Sequence, residues 1–351
     1  MNEFKCKIGV ISIILILYLI LYQLSMNFVK STLFFLLLFS PLLKAQETLP
    51  IYSDYLSDNV FLVHPSAAGI GNCGKLRLTA RNQWAGVEDA PSLQTISVHN
   101  KFGDNVGLGL ILFNDKNGYH SQQGLQATFA YHIQLGNRYD EVNQLSFALG
   151  AMGVYNKVDE SSFTFPDGIP DPAISQIVQS EGYFNADFSM AYHRKGFFSY
   201  VTAKNILLSA RNLYGDYESL NLRRYLTTLG YYFNGKKVQL EPSVMGQVIE
   251  RTGEKFVDFN MKVYKKIDNT QIWAAFSYRK GFDNATTEEL NYLTPIVGVN
   301  INQFMVSYTY TKQSGELLFD DAGYHQISLG YNFGCRSPRK IGGCPNLNSD
   351  F

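Results

Sequence analysis

Residues 69–74, GIGNCG, carry the G-x-G-x-x-G spacing that lets a backbone approach a pyrophosphate. That chemistry needs a strand before the glycines and a helix after them, so that phosphate meets a helix N-terminus. Here Pro65, Ser66, Ala67 and Ala68 precede, and an alternating strand follows. The run therefore reads as a glycine-rich turn into a first strand. The six histidines, at 64, 99, 120, 132, 193 and 325, form no HExxH and no short pair at ligand spacing. PDGIPDP at 166–172 lacks the spaced acidic ligands and closing Glu of a calcium loop and reads as a proline-braced surface loop. No G-x-S-x-G elbow is present, and no Ser, His and Asp stand in a recognised catalytic context. The expectation is a protein that is not an enzyme and that takes no metal or cofactor. Cys335 and Cys344 flank eight residues containing Pro and two Gly, which predicts a local disulfide in an exported tail and leaves Cys73 unpaired.

With catalysis set aside, the elements carry the argument. Of 351 residues, 17% are charged, against about 25% in an average soluble protein. Phe (25) and Tyr (23) dominate the aromatics. Net charge is 30 − 30 = 0 with no basic block, which argues against a nucleic-acid footprint. A hydrophobic content of 46% excludes a disordered chain. Two-residue alternation recurs after residue 75, beginning with KLRLTARNQW, where Lys75, Arg77, Thr79, Arg81 and Gln83 share one face and Leu76, Leu78, Ala80 and Trp84 the other.

Fourteen such runs are found, near 75–84, 92–100, 106–113, 124–133, 144–155, 183–193, 197–204, 224–233, 238–248, 256–264, 272–279, 292–300, 304–311 and 324–333. Their lengths approach the ~9–11 residues that cross a bilayer at a tilt. Short turns (101–105, 193–196, 233–237, 265–271, 302–303) alternate with long links (156–182, 205–223, 280–291, 312–323), and 134–143 is the long member of the short set. This predicts a transmembrane antiparallel β-barrel of about 14 strands in the lipid bilayer of the cell outer membrane, closed so that no edge is left unpaired. An even strand number puts both termini on the periplasmic, short-turn side.

The amino terminus reads as an address. Residues 8–22 form an apolar run of 15, short for a span of ~20. Lys30, the apolar run 33–43 and Ala45 have the parts of a cleaved signal peptide, with Met26 as the true start and cleavage after Ala45. The expected organisation is an over-long start plus signal peptide at 1–45, an N-terminal plug at 46–74, the barrel at 75–333 and a short periplasmic tail at 334–351.

Several segments together resemble the PorP/SprF family of type IX secretion membrane proteins from Bacteroidetes. They are FLVHPSAAG (61–69, with Pro65 and Gly69), Arg81-x-Gln83-Trp84-x-Gly86, Ala90-Pro91, Lys204-Asn205, Glu241-Pro242-Ser243, Tyr278-Arg279-x-Gly281 and GYHQISLGYNF (323–333). The resemblance covers about 50–335 and departs at His64, where the family has Asn, and at Ser66, where it has Ala. It implies an outer-membrane barrel serving type IX protein secretion, often as partner or anchor of gliding or adhesin-like substrates. From the residues alone, Trp84 suits an interfacial aromatic belt. Arg81 and Gln83 point inward, either to pin the N-terminal segment or to contact a substrate.

Two functions compete. One is binding a secreted protein's C-terminal domain, or secretion machinery. The other is a channel for small or hydrophobic solutes. The longest link offers Phe163, Phe165, Ile169 and Ile174 among prolines as a partner loop or as a cover folded over the barrel mouth.

Overall fold

The computed structural model describes residues 55–83, 90–135, 142–161, 177–207, 223–235, 238–250, 253–282, 291–314 and 323–335. All fourteen expected strands are present: β1 Gly74–Gln83, β2 Ser92–Phe102, β3 Val106–Asn117, β4 His120–Gln134, β5 Asn143–Asp159, β6 Val178–Arg194 and β7 Phe197–Lys204. They continue as β8 Arg224–Tyr231, β9 Gln239–Ile249, β10 Lys255–Ile267, β11 Thr270–Gly281, β12 Asn291–Ile301, β13 Phe304–Ser314 and β14 Gly323–Phe333. A two-residue continuation of β8, Phe233–Asn234, also pairs with β9. Every strand pairs antiparallel with its neighbours in the chain, and β1 pairs β14 from Gly74↔Phe333 to Gln83↔Tyr324, so the sheet closes.

Alternation places the two faces. Outward positions such as Leu78, Ile96, Phe129, Leu149 and Phe188 are exposed, whereas inward positions such as Arg77, Thr95, Gln126, His132 and Ser307 are buried. A sheet that buries its polar face and exposes its apolar one is built for lipid outside and polar groups inside. At the short-turn rim, Phe304 and Tyr331 (centroids 5.0 Å apart) and Tyr231 and Phe233 (4.6 Å) form part of an aromatic girdle. Left-handed residues make the turns tight there, with φ of 54° at Lys195, 51° at Asp268 and 52° at Asn302, the twist that two-residue hairpins require.

The strands run further than hydrophobic alternation showed. Residues 114–123 continue β3 and β4 to a turn at Gly118 (φ 58°), and the link expected at 156–182 narrows to 160–177. Outward residues there are Asn114, Lys116, Ser121 and Gln123. Above the apolar band the ladder continues, but both faces are polar and the period-two signal disappears.

Candidate functional site

Residues 55–73 lie against the inward faces of the barrel strands. Two single 3-10 turns, Val60–Leu62 and Pro65–Ala67, compact this lumenal segment, with Pro65 at a position where a missing N–H costs nothing. Its apolar residues build two small cores with the wall. Phe61, Leu62, Ala68 and Ile70 pack with Ile111, Ala130, Ala148 and Phe198, while Tyr55, Leu56 and Val63 pack with Leu226, Met245 and Trp273. The wall is shaped for this. A Cβ on Gly107 would stand 2.1 Å from the Ala68 carbonyl oxygen, and one on Gly109 would stand 2.3 Å from the Phe61 ring.

Polar contacts fix the register. His64 Nδ1 meets Thr202 Oγ1 at 2.7 Å and its Nε2 meets Thr228 Oγ1 at 2.8 Å. Ser66 Oγ meets Ser189 Oγ at 2.7 Å, and Ser189 in turn meets Thr202 at 2.7 Å. The Ala68 carbonyl lies 3.0 Å from His132 Nε2, and Gly69 donates its N–H to His99 Nδ1 at 3.1 Å. Lys204 donates to the Leu62 carbonyl at 2.9 Å and Lys262 to the Leu56 carbonyl at 3.1 Å. Buried backbone carbonyls of an irregular segment need such donors. His64 and Ser66, the two departures from the family pattern, both serve this seam.

One carboxylate organises the charge. Asp58 accepts from Arg77 Nη2 at 2.8 Å and lies 3.6 Å from Lys75 Nζ. Burial alone would raise its carboxyl, but the charges of Lys75, Arg77 and Lys262 outweigh that and hold it down to about 2. Burial, reinforced by Lys204, pushes the His64 imidazole down to about 3. Both shifts have the same consequence for pH. Asp58 contributes stability that is present above its ordinary 3.8 and lost as pH falls through about 2. Neutral His64 is costless above its ordinary 6.5, and its burial becomes increasingly unfavourable as pH falls from 6.5 toward about 3. Acidification from pH 7 to pH 4 is therefore expected to lower the hydrogen-exchange protection factors of residues 60–68, measured against the intrinsic amide rate at each pH, and His64→Asn is expected to flatten that dependence.

The sites expected from sequence fall into separate places. Pro65 and Gly69 (φ 74°) are buried in the lumenal segment. Arg81 is buried at the outer end of β1 and lies over the Tyr324 ring, 5.2 Å from its centroid. Gln83 is buried, its carboxamide has no partner among the described residues, and its backbone N–H donates to the Pro91 carbonyl at 2.9 Å, closing the β1–β2 connection. Trp84 and the loop residues Phe163, Phe165, Ile169 and Ile174 lie outside the described residues. Sequence reading placed Arg77 on the inward face without singling it out. No local pattern announces that an aspartate 19 residues upstream returns to it.

At the outer mouth, Arg81, Tyr324 and Tyr292 stand together, with the two rings 6.1 Å apart. Nearby in the same rim, Arg279 clasps Asp258 through two bonds of 2.6 and 2.8 Å and lies over Phe256 at 3.9 Å.

The expected Cys335–Cys344 disulfide is corrected: Cys335 pairs with Cys73. Local spacing favoured Cys344, which lies outside the described residues, but closure of the barrel decides otherwise. Gly74 is in register with Phe333, so the residues just outside the two paired ends, 262 apart in sequence, become neighbours. Non-reducing peptide mapping is expected to recover one joined fragment containing both cysteines. Cys335→Ser is expected to cost about 2–5 kcal/mol, read as earlier loss of the heat-resistant gel form.

A family model described as type IX secretion system membrane protein PorP/SprF matches residues 44–331. No curated protein matches the sequence. Among solved structures, the chain is similar in fold to the TodX monoaromatic hydrocarbon channel deltaS2 mutant, at 10% identity and TM-score 0.44, covering 78% of this chain and 93% of that one. The CymD monoaromatic hydrocarbon channel gives 9% identity, TM-score 0.42 and coverage of 78% and 91%. The Acinetobacter baumannii outer membrane protein Omp33 gives 10%, 0.37, and 76% and 100%.

Proposed function

We propose that this chain, which belongs to the PorP/SprF family of type IX secretion system membrane proteins, works in that system by binding protein and not by conducting solutes. It is an outer-membrane β-barrel. The observation that carries the reading is the lumenal segment. Residues 55–73 fill inward space with two apolar cores, and hydrogen bonds tie them to strands around the wall. A segment seated this way acts as a plug, which removes the main requirement of a channel and leaves the outer mouth and loops as the working surface.

The partner is a secreted protein's C-terminal domain, an adhesin-like cargo held at the surface, or a subunit of the secretion machinery. Tyr292, Tyr324 and Arg279 give the mouth the tyrosine and arginine composition of binding hot spots. The link 160–177, which includes Phe163, Phe165, Ile169 and Ile174, adds apolar anchors braced by prolines, so less chain entropy is lost on binding.

Deleting residues 162–176 while keeping the folded barrel is expected to abolish co-purification or surface retention of a type IX cargo, with solute uptake unchanged. Failed uptake with every cargo still reaching the surface would establish the channel instead.

A further inference from the structure

The outer wall across β2–β6 carries a feature that protein binding at the mouth does not use. Strand register aligns three rows of outward side chains there. The upper row runs Gln94, Asn114, Gln123, Tyr155 and Gly182. Directly below it runs Ile96, Leu112, Leu125, Gly153 and Phe184. In the next row down, Ala127, Ala151 and Ala186 stand in register on β4, β5 and β6. Gly153 and Gly182 sink the surface between projecting neighbours, and Phe184, 80% exposed, stands proud as one rim. The result is an open hollow of about 700 Å³ lined by the two upper rows.

We propose that this hollow holds an acyl chain of an outer-leaflet lipid, with the lipid's ester or amide linkage at the level of Gln94, Asn114 and Gln123. The wall below the upper row is continuous with the apolar band, so the surroundings of the hollow are hydrocarbon. Within hydrocarbon no hydrophobic driving force separates one apolar occupant from another. Shape and polar chemistry decide instead. An unfilled hollow forfeits dispersion contacts along its floor, and a flexible chain can follow the floor past Phe184. The convex wall of a second barrel would ride on Phe184 and Leu112 and leave the floor empty. The amides of Gln94, Asn114 and Gln123 make no side-chain hydrogen bond among the described residues, which leaves donors and acceptors at the height where acyl chains join their headgroup.

The test uses the full chain purified in detergent from outer membranes and examined by native mass spectrometry, before and after reloading with a phospholipid brominated on its acyl chains. Wild type is expected to keep one lipid through detergent exchange and to regain one brominated lipid. Gly153→Leu, whose Cβ would meet Phe184 only at 3.5 Å, is expected to lower that occupancy by roughly tenfold. Ala274→Leu, outward on β11 across the barrel, is expected to leave it unchanged. Gln94→Leu with Gln123→Leu keeps the floor, removes the amides and is expected to lose the lipid as well, and it serves if Gly153→Leu does not give the heat-modifiable form. Equal retention in wild type, Gly153→Leu and the Gln94→Leu, Gln123→Leu double variant, no retained lipid in wild type, or a protein subunit on this wall would each overturn the proposal.

Discussion

Gly107→Val is expected to dislodge the lumenal segment and open the barrel. The first side-chain carbon would stand 2.1 Å from the Ala68 carbonyl oxygen and 2.9 Å from His132 Nε2, distances no real contact sustains. Something must move, and β3 is held on both sides by continuous ladders to β2 and β4. Valine itself suits a strand, so the wall accommodates it and the segment yields. Overpacking costs about 1–3 kcal/mol, and loss of the His132–Ala68 hydrogen bond adds about 1 kcal/mol. Together they shift the seated population by roughly 30- to 1,000-fold. In planar bilayers the variant should show conductance steps absent from wild type, and residues 55–73 should become cleavable by protease. Gly246→Ala, where a Cβ meets nothing closer than 4.0 Å, is the matched control and should behave as wild type. Conductance equal to wild type in the variant, with the segment now cleavable, would mean that residues 55–73 do not gate the lumen.

The strands were legible because the physics that places them is local. In Leu125, Ala127, Phe129, Tyr131 and Ile133, every second side chain must suit lipid, and that demand is written at period two along β4. Legibility stops where lipid stops. The outer halves of β3 and β4 are polar on both faces, and only Asn117-Gly118 marked the hairpin there. The site was read less well for a different reason. Arg81 belongs to a recognisable cluster, while the ion pair with the lumenal segment belongs to Arg77, four residues earlier on the same face. Both arginines satisfy the alternation equally, and only the path of residues 55–58 inside the lumen distinguishes them. The disulfide failed on the same ground. Cys73 and Cys335 become neighbours through barrel closure, a property of the whole ring that no spacing near either cysteine encodes.

That ion pair is the other place where one side chain should matter most. Asp58 is 3% exposed and Arg77 2% exposed at the side chain, and Arg77 also donates to Asn332 Oδ1 at 2.9 Å on the closing strand. Asp58→Ala would leave Arg77, Lys75 and Lys262 facing one another across the lumen without their shared anion. Removing one partner of a buried pair costs about 3–5 kcal/mol, because the remaining charge keeps its desolvation and loses its compensation. The cost should fall on the segment before the barrel, since Asp58 has no strand to hold it. Hydrogen exchange of residues 55–63 should therefore accelerate by roughly 150- to 5,000-fold, while amides of β5 and β6 stay protected. Replacing both partners, as Asp58→Leu with Arg77→Met, removes the charge along with its compensation and should cost clearly less than the two single changes summed. If the double variant loses as much as that sum, the two side chains act independently. The segment would then be held by its apolar cores and by His64, with the aspartate a passenger.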